Sequence, residues 1–254
     1  SGRMVTMLLL FLLVRSPDDY VMAAFLMSCT PLFAGLLSWK VIHDISPGIL
    51  QKPAWQDLRA AYREGWQIFV SSLAVNLYTT SDIVILGVLT NDTIVGYYSG
   101  ADKLIGCIKQ AISAVNAAVY PYISKVMQES IERGLHFLKK QLLVYTVSGV
   151  LGGAVLYLLC PWGIPWLLGE KYIPSVGPLQ VMAFVPLVVA MSNVMGYETM
   201  LPLGMEKIYS KVLITASIFN LIIICPLISW KGAEGTAFAV LCTETLVTAI
   251  MAVI

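Results

Sequence analysis

Apolar residues in this chain come in long runs, and the short polar stretches between them collect the turns and charges. Eight runs stand out, at about Met4–Val14, Tyr20–Ile42, Trp66–Thr90, Val95–Val126, Gln141–Cys160, Ser175–Tyr197, Ile208–Ser229 and Thr236–Ile254. As helices rising about 1.5 Å per residue, all but the first are long enough to cross a hydrocarbon core of about 30 Å. The first is too short, and no small-residue cleavage site follows "MVTMLLLFLLV" as a signal peptide would require. With Ser1 rather than Met at the start, the run reads as the tail of a helix that begins outside this sequence. The pattern predicts an all-α polytopic membrane protein with about eight transmembrane segments, as a fragment of a longer chain.

Composition agrees. Hydrophobic residues make up 58% and charged residues 12%, about half the charge content of ordinary soluble domains, and the mean hydropathy is +0.79. The net charge of +1 excludes little, but the placement of charges is informative. Grouping alternate ends of the runs puts Arg3, Lys40, Lys52, Arg59, Arg63, Lys125, Arg133, Lys139, Lys140, Lys207 and Lys211 on one side, and Arg15, Lys171 and Lys231 on the other. Lysine and arginine favour cytoplasmic loops, so the first side is expected to be cytoplasmic. Trp39, Trp55 and Trp66 then fall at the inner boundary and Trp162, Trp166 and Trp230 at the outer one, where amphipathic rings prefer to lie.

The longest polar stretch runs from His43 to Gly65. After the turn-rich "SPGILQKP", the segment "AWQDLRAAYREGW" places Trp55, Leu58, Tyr62 and Trp66 on one helical face, which predicts a short helix lying on the membrane surface. The outer loops, "VLTNDTIV" and "PWGIPWLLGEKYIPS", are too short for a separate soluble domain. Cys29, Cys107, Cys160, Cys225 and Cys242 lie in or at the ends of apolar runs with no C-x-x-C spacing, and read as packing residues. His43 and His136 stand far apart in polar loops. No metal, cofactor or nucleic-acid partner is expected.

The run Val95–Val126 is the exception to apolarity. Tyr98, Asp102, Gly106, Lys109, Ser113, Asn116 and Tyr120 recur at steps of four or three, and at about 100° per residue they fall within about 40° of one line. Lys103 lies about 100° away, on the flank. The preceding run carries Ser72, Asn76, Thr79 and Thr80 on one face with Asp82 at its shoulder, and Asn193, Glu198, Asn220 and Glu244 add polar points further on. Such stripes bond neighbouring helices, bury ion pairs, or line wet cavities. A charge at the centre of a membrane helix costs about 2.5 kcal/mol or more, which points to a cationic, polar cavity surface.

Three segments in order, "DIVILG" from Asp82, "GYYSGADK" from Gly96 and "YPYISK" from Tyr120, resemble the Wzx-type O-antigen and polysaccharide flippases of the multidrug/oligosaccharidyl-lipid/polysaccharide exporter superfamily. "LLGEKYIPS" and "LPLGMEKIYSK" resemble later loops of that family. The resemblance implies two lobes of about twelve helices in all. Residues 1–42 would be the last helices of the first lobe, 43–65 a cytoplasmic interfacial linker, and 66–254 a second lobe of six transmembrane helices. It implies a non-enzymatic transporter in the bacterial inner membrane that moves an undecaprenyl-diphosphate-linked oligosaccharide by alternating access, among membrane lipids and other polysaccharide assembly proteins. Lys109 and Lys103 would meet the diphosphate, Asn76, Asn116, Tyr98, Ser72 and Thr79 would meet the sugars, and Asp102 and Ser113 would line the same cavity. Asp82, Asp102 or Glu244 would take a coupling ion. The rivals are a small-molecule exporter of the same superfamily and a membrane glycan polymerase or ligase. The latter would need an outer catalytic loop or a helix-borne His–Asp pair.

Overall fold

The computed structural model describes the backbone from Ala54 to Ile254 and, ahead of it, scattered helical positions between Leu9 and Trp39. Part of the side chains between residues 55 and 80 is described. The turn-rich half of the expected linker, with His43, Pro47, Lys52 and Pro53, lies outside the described residues, as do Arg3, Arg15 and Lys40. The chain divides into two compact units, Ser1–Ala60 and Ala61–Ile254. In the first, Val21, Met22, Phe25, Leu32 and Trp39 are helical and exposed.

The described elements are helical throughout. α1 spans Trp55–Leu89, α2 Asp92–Glu129 and α3 Ile131–Leu168. A 3-10 turn, Glu170–Ser175, leads into α4 (Val176–Met182) and α5 (Val185–Met195), and a π-helical turn, Gly196–Met200, follows. α6 (Glu206–Lys231) and α7 (Ala233–Val253) complete the chain.

Local sequence explains these limits. The surface helix expected over residues 54–66 is not separate: α1 runs through Gly65 and Trp66 without a break. A lone glycine costs a helix about 1 kcal/mol and does not end it. Asn91 caps α2, its side chain accepting from the Ile94 N–H at 3.1 Å. Ser130 ends α2 and starts α3, its hydroxyl accepting from the Arg133 N–H at 3.4 Å. The expected outer loop "PWGIPWLLGEKYIPS" is mostly helix: Pro161 and Pro165 lie inside α3, and only Gly169–Ser175 leaves it. The expected span Ser175–Tyr197 is interrupted between α4 and α5. Pro186 sits in the first turn of α5, where its missing N–H costs nothing and its ring would clash with a continuing helix.

Among the described residues, four helical stretches, Ile131–Leu168, Glu170–Met200, Glu206–Lys231 and Ala233–Val253, are long and apolar enough to cross a membrane. α2, at 38 residues, is long enough but too polar to be recognised on hydropathy, and the described end of α1, Thr80–Leu89, is apolar. The chain is an all-α polytopic membrane protein. Its exterior is apolar as lipid requires: Leu143, Val144, Leu151, Leu158 and Trp166 on α3 are all exposed.

α6 and α7 form the tightest pair. Gly232 turns the chain at φ 54, which other residues rarely adopt. A side chain at Gly235 would overlap the Leu227 carbonyl, so the two backbones touch there. Around this hairpin, Leu86 of α1, Ile105 of α2, Ile164 of α3, Leu179 and Met182 of α4, and Ile224 of α6 are buried in one core. Smaller cores join Met200, Leu213, Val247 and Met251, and Ile123, Met127, Leu138 and Val194.

Candidate functional site

The α2 stripe straddles the boundary between core and exterior. Tyr98 and Asn116 are buried, Asp102, Gly106, Lys109 and Tyr120 are half-buried, and Ser113 is exposed. Lys103 is exposed as well, and so is Gln110, which lies between it and Ser113 on the helical wheel. At about 100° per residue, Lys103, Gln110 and Ser113 share an arc of about 80°. The open polar face of α2 is thus turned toward Lys103, and the closed edge is where Tyr98 and Asn116 enter the bundle.

Behind that edge, four helices bring polar groups together. Asp82 of α1 is 1% exposed and Asn220 of α6 is fully buried. Asn220 Nδ2 donates to Thr243 Oγ1 of α7 at 3.2 Å, and Thr243 Oγ1 donates to the Ala239 carbonyl at 2.8 Å. Asp82 faces Asn220, and the charges acting on it are Asp102, Lys109 and Glu244. Asp82 Oδ1 and Asn220 Oδ1 are buried with no hydrogen-bond partner. Asp102 of α2 and Glu244 of α7, two of the acids singled out in the sequence, are near enough for their charges to act on Asp82 of α1. The sequence did not anticipate that Asn220 would be the residue facing Asp82.

Among the described residues, the one ion pair is Lys231–Glu234 at 3.2 Å on the exposed hairpin turn. Lys109 thus has no carboxylate within ion-pair distance there, which speaks against a buried Asp102–Lys109 bridge. Two acids and one lysine act on Asp82, so the local charge balance does not by itself select an anionic ligand. Among the described residues, no three His, Cys, Asp or Glu side chains converge as a metal site needs. Of the α1 polar stripe, Asn76 and Thr80 are exposed, and Asn76 makes an interaction of its own. The side chains of Ser72 and Thr79 lie outside the described residues.

A second polar group was not legible. Tyr145 of α3 donates to Asn116 Oδ1 at 2.6 Å. Gln141, one turn earlier on α3, faces both Tyr145 and Glu198. Glu198 is fully buried in the π-helical turn. The signal was Gln141, a polar residue one turn before Tyr145 on an apolar helix.

An apolar groove lies next to this group. It holds about 230 Å³ and is lined by Ile108 and Ile112 of α2, Gly152 and Leu156 of α3, and Leu187 of α5, with Tyr145 at its wall. Ligand sites for whole molecules hold about 300–1,000 Å³, so this groove has room for a chain segment rather than a head group.

Residues 2–127 match the model of a family described as polysaccharide biosynthesis proteins. Along 98% of its length the chain is also 28% identical to a protein of Escherichia coli (strain K12) named "Putative O-antigen transporter", covering 60% of that protein. The chain resembles the O-antigen transporters. A protein of the same name from Shigella dysenteriae is 28% identical over 98% of the chain and 62% of its own length. The chain thus spans about three fifths of these relatives. No solved structure matches it significantly.

Proposed function

We propose that this chain is the greater part of a flippase that carries an undecaprenyl-diphosphate-linked oligosaccharide across the bacterial inner membrane. The observation that supports this most is the likeness to O-antigen transporters along nearly the whole chain. The protein acts as a carrier rather than a catalyst, with the lysine-rich helix ends in the cytoplasm and other glycan-assembly proteins as neighbours.

The arrangement of groups fits that work. Lys103, Gln110 and Ser113 form an open polar face for a hydroxyl-rich head group. Lys109, free of any ion pair among the described residues, stands at its edge to meet the diphosphate. The acids behind it, Asp82 foremost, take up the coupling ion. That occupant offsets their charge, so an anionic head group is not repelled. The apolar groove by Gly152 seats a segment of the polyprenyl chain. Alternating access then moves the site between the two leaflets.

The test uses the full-length protein in cells that lack their own flippase. Lys109→Ala should abolish glycan export at normal membrane abundance, and Lys109→Arg should keep part of it, since the charge remains while the geometry changes. If Lys109→Ala empties the membrane of protein and Asp102→Asn/Lys109→Ala restores both abundance and export, the lysine is a structural cation. If the wild type restores drug resistance and not glycan export, the substrate class is wrong.

A further inference from the structure

Among the described residues, the eight buried polar atoms left without a partner are unevenly spread. Five belong to three residues of the Tyr145 group: Asn116 Nδ2, Gln141 Nε2 and Oε1, and both carboxylate oxygens of Glu198. Nothing in the Asp82 group or on the open face of α2 involves Glu198 or Gln141.

The turn that carries Glu198 is held on every side. Its helix widens there, with the Leu201 N–H donating to the Gly196 carbonyl at 3.3 Å and Thr199 Oγ1 donating to the Val194 carbonyl at 2.7 Å. Such widened turns recur at functional sites. Tyr197 packs on Tyr120 of α2 with ring centres 4.5 Å apart. A side chain at Gly196 would stand 2.7 Å from Tyr209 of α6 and 2.8 Å from the Met251 sulfur of α7, so the turn is pressed against both helices. Val194, one turn earlier, is buried with Ile123, Met127 and Leu138.

Glu198 itself faces Gln141 and Tyr145 of α3, with Asn116 of α2 behind Tyr145, while its neighbours Tyr197 and Gly196 meet Tyr120 of α2, Tyr209 of α6 and Met251 of α7. Gln141 is the polar side chain acting directly on Glu198, and no charged group acts on it. Glu206 acts on Tyr120 and Glu244 on Tyr209. An ionised carboxylate sealed in such a place, with one neutral amide as its polar neighbour and no cation, is strongly disfavoured. The geometry offers an answer: two carboxylate oxygens and an amide oxygen, all unengaged and on adjoining helices, are the oxygen donors a hard monovalent cation or a proton takes. The Tyr145–Asn116 hydrogen bond fixes the α2 side of the same pocket.

We propose that Glu198, with Gln141 as second ligand and Tyr145–Asn116 as support, binds one exchangeable positive charge, a proton or a sodium-sized ion, at a site separate from Asp82. The site's existence stands apart from the transport reading. Its use in coupling rests on that reading.

The experiment is done on purified full-length protein in detergent. The thermal midpoint is followed first through a sodium titration at fixed pH, with choline as replacement, and then through a pH series without sodium. A species that binds only the folded state raises the midpoint in proportion to its saturation. A rise with sodium identifies the ion, and a rise only as pH falls identifies the proton. Asp82→Asn, which removes the other proposed ion site, should keep a response, and adding Glu198→Gln to it should remove what remains. Should Glu198→Gln fail to fold, Gln141→Leu serves in its place and should raise the half-effect sodium concentration at least tenfold, or move the pH response by about one unit. A Glu198→Gln or Gln141→Leu protein that responds like the wild type overturns the proposal. So does a wild type that responds to neither, since fixed water then satisfies these atoms. Glycan export by the wild type is scored separately, so failure of the transport reading and failure of this site cannot be confused.

Discussion

Replacing Tyr145 with Phe isolates one interhelical hydrogen bond. The hydroxyl donates to Asn116 Oδ1 at 2.6 Å across 29 residues of sequence, and the ring keeps its volume, so no cavity term enters. Asn116 is 3% exposed and its Nδ2 is already without a partner, so the variant leaves both ends of a buried amide unbonded. Two magnitudes compete. In a protein that unfolds into water, orphaning a buried group costs about 1–3 kcal/mol. Helices that unfold within a membrane keep access to other partners, and measured interhelical bonds there average about 0.6 kcal/mol with a maximum of about 1.7. The second frame applies to α2 and α3, so the expected loss is about 0.6–1.7 kcal/mol. Asn116→Leu removes donor and acceptor together and should cost less than Tyr145→Phe, because the half-buried Tyr145 can turn its hydroxyl outward. The double variant should match Asn116→Leu alone. Reversible unfolding of the purified full-length protein in mixed micelles gives all three values. A neutral Tyr145→Phe beside a costly Asn116→Leu would mean that Asn116 bonds elsewhere in the membrane, and the α2–α3 link described here would be wrong.

Two further substitutions test separate parts of the molecule. Gly235→Ala puts a methyl group into the Leu227 carbonyl, and because backbone cannot step aside as a side chain can, the loss should reach or exceed the usual overpacking cost of about 1–3 kcal/mol, read as a lower midpoint or lower membrane abundance. Gly152→Phe meets no atom within 4 Å at its first carbon and fills the groove; abundance should hold while glycan export falls, and unchanged export would remove the groove from the lipid path.

The fold was largely legible because lipid imposes a simple rule on sequence. The hydropathy of α6 and α7 carried over almost residue for residue, with the turn falling at Gly232. What failed to carry over was continuity. Trp66 looked like a helix start because a polar stretch precedes it, yet hydrogen bonding continues from Trp55 regardless of which residues face lipid. The Pro186 interruption left no mark on hydropathy, since both pieces are apolar. For the site, periodicity found the α2 stripe but not which of its edges is closed, because that depends on neighbours. Asp102, Lys109 and Asp82 were found as charges in apolar runs. Glu198 was noticed and left without a role, and Gln141 and Tyr145 were missed, since a single polar residue per turn makes no stripe. Their grouping comes from the packing of three helices.

The contact at Gly235 has a mechanical meaning. Two helices whose backbones touch cannot slide past each other without first separating, so α6 and α7 behave as one beam, and the Asn220–Thr243 bond travels with it as a fixed rivet. The stretch from α4 to the π-helical turn has two discontinuities along its length, one before Pro186 and one at Gly196–Met200. It is a jointed rod laid against a stiff beam. Whatever bending this lobe undergoes concentrates at those two joints, because hinge motion is absorbed by a few element-terminal residues. One joint carries Glu198, so strain arriving there is felt by the turn that holds the buried acid.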